Sequence, residues 1–185
     1  QLNTPAPSPF SEIEQVIGLT NVTVAYSRPS MKGRDVMGGL VPYDKLWRTG
    51  ANRATKISFE DPMSIGGKRL EAGEYALFSI PGKNEWTIII SSKGDQNGSA
   101  EYDEAEDAVR FTVKPEKTKA TYETFTIMFS DLTNSSAMMN LMWENTKVQF
   151  PIEDYDLDDI VMLQIKEQMS SAGDDDNMYY AAASY

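Results

Sequence analysis

Apolar and polar residues alternate with period two along much of this chain, the spacing of strands that bury one face. Thr20 to Ser27 puts Val22, Val24 and Tyr26 on one side, and Thr55 to Phe59 alternates likewise. Met63-Ser64-Ile65, Gly66-Gly67 and Lys68-Arg69-Leu70 predict a hairpin, because a Gly-Gly pair supplies the positive φ of a tight turn. Tyr75 to Ile80 and Trp86 to Ile90 predict strands split by the turn cluster Pro81-Gly82-Lys83-Asn84. The unbroken run Ile88-Ile89-Ile90 predicts a strand covered on both faces. Val109 to Val113, Thr124 to Phe129, Met138 to Trp143 and Thr146 to Phe150 bring the expectation to about nine strands. Many short strands at such spacing predict an all-β fold, an antiparallel β-sandwich or jelly roll.

The two ends differ from this middle. Residues 1–9 hold three prolines and predict an extended arm; residues 10–152 form the predicted sandwich; residues 153–185 carry nine acids and one lysine. In that last part Asp158 is a candidate N-cap for a helix from about Asp159 to Ser170. Ile160, Leu163 and Val161 or Ile165 would form its apolar stripe, Gly173 would stop it, and a second helix would begin near Asp176. The expected appendage is a C-terminal helical extension, and the chain reads as cut off within a helix at Tyr185. The acidic run Glu101 to Asp107 predicts a short helical turn between strands.

Composition restricts the chemistry. The 185 residues include no histidine and no cysteine, and the net charge is −11. Imidazole bases, thiolate nucleophiles, disulfides and His- or Cys-ligated metals are therefore excluded. No metal or other cofactor is expected: Asp154, Asp156 and Asp158 have the first spacings of a calcium loop, but Asp159 stands where glycine is required and Ile165 where glutamate is. The acidic balance argues against a nucleic-acid partner, and no apolar run approaches a membrane span.

One segment reverses the sign. Residues 28–56 hold seven basic residues against Asp35 and Asp44, including four of the six arginines. Arg28, Arg34, Tyr43, Trp47, Arg48 and Asn52 in this loop are the candidate contact residues. Arginine offers a fixed fork of donors for carboxylate or phosphate, and an aromatic face can stack on a sugar. The competing reading is that the arginines tie down loop carbonyls and Trp47 plugs the sandwich end. The absence of histidine leans the sequence away from an enzyme, and no catalytic pair can be nominated among 28 carboxylates.

These same residues carry a resemblance. Ile17-Gly18-Leu19-Thr20, Tyr26-Ser27-Arg28-Pro29, Lys32-Gly33-Arg34, Leu40-Val41-Pro42-Tyr43, Trp47-Arg48-Thr49-Gly50-Ala51-Asn52, Ala72-Gly73-Glu74-Tyr75 and Ile80-Pro81-Gly82 stand in order along the chain. In these blocks the chain resembles the bacterial domain-of-unknown-function family numbered 2911. The resemblance implies a secreted or periplasmic envelope protein, chiefly of Bacteroidota, with a signal peptide before the β domain. It also implies a helical, tetratricopeptide-like part after it, but no activity. The expected role is a non-catalytic accessory or assembly subunit with protein partners in the envelope. The alternative is a module, or a carboxylate-dependent hydrolase, that takes a glycan or anionic metabolite at residues 28–53.

Overall fold

The computed structural model describes residues 2 and 4–171, with side chains as far as Met169. A boundary between Asp154 and Tyr155 divides the chain into two compact units. The first unit is an all-β antiparallel sandwich. Its six-stranded sheet runs in the order β1 (Phe10–Ile17), β2 (Thr20–Ser27), β3 (Ala51–Phe59), β6 (Gly73–Pro81), β7 (Trp86–Ser91), β8 (Asp107–Val113). The four-stranded sheet runs β5 (Lys68–Leu70), β4 (Met63–Ile65), β10 (Ser136–Asp154), β9 (Glu116–Ser130). The alternating residues of both inner faces make the core. Val22, Val24, Ile57, Leu77, Ile88 and Ile90 from one sheet meet Ile127, Met139, Leu141, Val148, Phe150 and Ile152 from the other.

Most predicted strands stand where the alternation put them. Gly66 and Gly67 turn the β4–β5 hairpin with φ of 62° and 74°, the paired positive values that a type I′ turn needs. Three details differ. The strand over Phe10–Ile17 lies outside the expected set, since Glu12, Glu14 and Gln15 dilute its pattern. The separate strands at Met138 to Trp143 and Thr146 to Phe150 are one strand of 19 residues, kinked by register shifts at Glu144, whose φ is 57°. In the second unit the helix α1 spans Leu157–Ser171, so Asp158 lies in its first turn; the Ile160 amide bonds the Asp156 carbonyl instead. Of the expected stripe, Leu163 is exposed. Gly173 and the second helix near Asp176 fall outside the described residues.

Ile89, between its two core neighbours, faces the other way. With Ala54, Ala76 and Phe78 it forms a second apolar cluster on the outer face of the large sheet. The acidic stretch roofs it as two 3-10 turns, Gly98–Glu101 and Glu104–Glu106. Tyr102 stands edge-on to Phe78 at 5.1 Å. Its hydroxyl donates to the Asp107 carboxylate at 2.9 Å and accepts from Arg110 Nη2 at 2.7 Å. Burial, with the Asp107 hydrogen bond and charge, pushes the phenol up to about 12. Five carboxylates in seven residues thus serve partly to anchor a flap.

The edge of β9 is closed by groups from the other sheet's connections. The Met31 amide donates to the Glu123 carbonyl and the Phe125 amide to the Pro29 carbonyl, at 2.8 and 2.9 Å. The Tyr26 hydroxyl accepts from the Ile127 amide at 2.9 Å and donates to its carbonyl at 3.3 Å. Arg28 reaches the Phe125 carbonyl and the Thr126 hydroxyl. Tyr26 is 3 % exposed, so its loss would strand two backbone groups away from water.

Two expectations follow from these contacts. Tyr26→Phe should cost about 1–3 kcal/mol in chemical denaturation, the price of leaving buried polar groups unpaired. The fold favours the neutral Tyr102 phenol, whereas the unfolded chain ionises near pH 10. The stabilisation is therefore complete below pH 10 and is lost as pH rises towards about 12. Denaturation across that window should steepen with pH in the wild type and flatten in Tyr102→Phe.

Candidate functional site

The chain between β2 and β3 has almost no regular structure, and backbone turns shape it. Among the described residues, three of the six non-glycine positions with positive φ lie here, Lys32, Asp44 and Thr49, and a fourth, Asn52, follows at the start of β3. Such backbone persists only where surrounding contacts impose it. The contacts are visible. Trp47 exchanges backbone hydrogen bonds with Ser79 of β6, at 2.7 and 2.9 Å. Thr49 is fully buried; its hydroxyl bonds the Ser79 hydroxyl at 2.9 Å, and its carbonyl accepts from the Thr55 hydroxyl at 2.5 Å.

Held this way, the Trp47 indole enters the end of the sandwich. It stacks on Trp143 at 5.9 Å and meets Phe125 at 5.0 Å and Trp86 at 6.2 Å. The indole N–H donates to the Gly50 carbonyl. Edge-to-face and stacked rings at such separations attract beyond their buried area. One aromatic cluster therefore joins the loop, β7, β9 and β10.

Outside this cluster opens a cleft of about 540 Å³. Trp47 and Trp143 line it, together with Pro7 and Ser8 of the arm, Pro29, Ser30, Leu40 and Val41. Lys32, Arg34 and Arg48 bring three cations to it, and among the described residues its lining contains no carboxylate. Arg48 is half-buried, donates from Nη1 to the Asn52 carbonyl at 3.0 Å, and lies against Gly98. Arg34 uses Nε and Nη2 on the carbonyls of Met31 and Ser30. Lys32 is bonded through its backbone amide, to Glu123. Each cation keeps donors that no described residue takes.

Three of the six sequence candidates, Arg34, Trp47 and Arg48, line this cleft. Asn52 is not in the lining; its carbonyl holds Arg48 and its amide nitrogen donates to the Ser27 hydroxyl. Arg28 is spent on the β9 edge and on the Tyr26 ring. Tyr43 lies outside the cleft, beside Gly38 and under the Lys83 ammonium. Lys32 and Trp143 were not among the candidates. Lys32 sits within the basic block, a signal that was present; Trp143 lies about a hundred residues away, in a strand whose alternation marks it only as core.

The model of the family described as "Protein of unknown function (DUF2911)" matches residues 8–152. The chain belongs to the DUF2911 family. No curated protein and no solved structure matches it. The matched span of this DUF2911 chain contains the cleft's cations and both tryptophans; of the lining, Pro7 alone lies outside it.

Trp47 is the joint between fold and cleft. Trp47→Ala should destabilise the protein by about 3 kcal/mol in equilibrium unfolding, as loss of a packed aromatic does. A loss under roughly 1 kcal/mol would mean the cluster forms without it.

Proposed function

We propose that this DUF2911 domain is a non-catalytic binding module that takes a small anionic ligand in the cleft between Arg34, Lys32 and Arg48. The observation that carries this reading is charge segregation. In a protein of net charge −11, one cleft collects three cations with spare donors, and no carboxylate of the described residues lines it. The Trp, Pro, Leu and Val groups around them suit a ligand with an apolar body and one carboxylate, sulfate or phosphate group. An acidic sugar or a small organic acid meets both demands. Binding is favoured over glycoside hydrolysis because that chemistry needs a carboxylate pair flanking the ligand.

The setting we infer is the bacterial envelope, periplasmic or extracellular, with the domain as an accessory subunit of an assembly there. The ordered family blocks support it, and cell fractionation that placed the native protein in the cytosol would overturn it.

The cleft is tested by calorimetry and thermal shift with glucuronate, citrate, sulfate and phosphate. At least one should raise the melting temperature in proportion to its occupancy of the folded state. Arg48→Ala should weaken that ligand by roughly tenfold or more, the usual worth of a hydrogen bond to a charged group. If none of the four anions binds, or if Arg48→Ala leaves the affinity unchanged, the cleft is not an anion site.

A further inference from the structure

We propose that the outer edge of β1 is a docking site for an extended, basic segment of a protein partner, which adds to the six-stranded sheet as its seventh strand. The edge itself is the first observation. Among the described residues β1 pairs only with β2, in an unbroken register from Phe10 opposite Ser27 to Ile17 opposite Thr20. The two-residue turn at Gly18-Leu19, together with the Arg28 amide donating to the Pro9 carbonyl, sets the phase of that ladder. Odd-numbered residues bond β2, so the amides and carbonyls of Phe10, Glu12, Glu14 and Val16 point outward. Of these groups only the Val16 carbonyl has a described partner, the side chain of its neighbour Gln15.

The outermost strands of the two sheets differ in what they leave open. β5 has three residues, the β9 edge is capped by Tyr26, Arg28 and the loop before Lys32, and on β8 the Lys68 ammonium takes the Ala108 carbonyl. A straight eight-residue edge with open backbone groups is what strand addition uses.

The side chains of the outward residues specify the occupant. Phe10 and Val16 are 69 % and 54 % exposed, and Glu12 and Glu14 lie between them on the same face. Neither glutamate has an ion-pair partner among the described residues. Arg53 and Lys56 share a hollow with Phe10 and Glu12, but their ion pairs are with Asp95 and Glu74. Beside β1 a hollow of about 290 Å³ is lined by Glu14, Glu60 and Glu74 and by no cation of the described residues. A neighbouring strand would lie about 4.8 Å away, within reach of a lysine or arginine across β1 into that hollow. A second copy of this chain is the wrong occupant, because pairing β1 with β1 sets these glutamates against each other. The fitting segment carries cations opposite Glu12 and Glu14 and apolar side chains opposite Phe10 and Val16.

The test uses the whole chain with two capped synthetic peptides, Val-Thr-Lys-Thr-Lys-Thr-Val and Val-Thr-Glu-Thr-Glu-Thr-Val, followed by amide hydrogen exchange. The lysine peptide should slow exchange of the Glu12 and Glu14 amides and leave the already bonded Ser11 and Ile13 amides unchanged. The glutamate peptide should not. In Glu12→Lys/Glu14→Lys the preference should reverse, with the lysine peptide weakened roughly fivefold or more. Glu12→Gln/Glu14→Gln, a milder change, should abolish the discrimination. No slowing by the lysine peptide at about millimolar concentration, or equal slowing by both peptides, overturns the proposal. Arg48→Ala should leave this binding intact, so the edge and the cleft stand or fall separately.

Discussion

Trp47 is fastened to β6 through its backbone and to β7, β9 and β10 through its ring, so that one residue of the β2–β3 connection joins both sheets. A connection of this length with little regular structure would ordinarily sample many conformations, since ordering each residue costs of order 1–2 kcal/mol. Packing of the half-buried indole against three other rings, and burial of Thr49 against Ser79, offset that cost at the end of the loop. The left-handed backbone at Lys32, Asp44, Thr49 and Asn52 is tolerated because these anchors leave the chain no other route. The cleft is a by-product of this fastening. Once Trp47 fills the sandwich end, the flanking basic residues are held around its outer side.

The same economy governs the sheet edges. Residues next to the loop close β9, with Arg28 and Tyr26 acting as side-chain substitutes for a missing strand. That use of Arg28, with Arg53 paired to Asp95 and Lys56 to Glu74, removes three of the block's seven basic residues from the cleft. β1 has no such substitutes, and two glutamates separate its exposed apolar residues. Charges on an edge discourage indiscriminate pairing. They also select by sign, which turns an unprotected edge into a selective one.

Legibility followed periodicity. The strands at Thr20 to Ser27 and Thr55 to Phe59 were readable because one face is buried and the alternation is clean. Ile88-Ile89-Ile90 was readable as two-sided because Ile89 has its own cluster beneath the 3-10 turns. β1 was missed because an edge strand exposes much of its outer face, so Glu12 and Glu14 replace apolar residues without penalty. β10 read as two strands because the bulge at Glu144 interrupts the alternation without ending the strand. Asp158 reads as a cap because it precedes the apolar positions, whereas α1 begins at Leu157 and places Asp158 inside its first turn.

The sequence by itself determined the all-β character, the position of most strands, the exclusion of imidazole and thiol chemistry, the family, and the segment where the charge reverses. These depend on residue type and on neighbours within about ten positions. Only the tertiary structure decided which of the basic residues share a cleft, that Trp143 is one of its walls, and that β1 is an open edge. Each of those depends on carbonyls and rings brought together from distant parts of the chain. An arginine's destination is set by whichever acceptors the fold leaves within reach. For Arg28 these are on β9, about a hundred residues away, and for Arg48 the bonded acceptor is the Asn52 carbonyl four residues on.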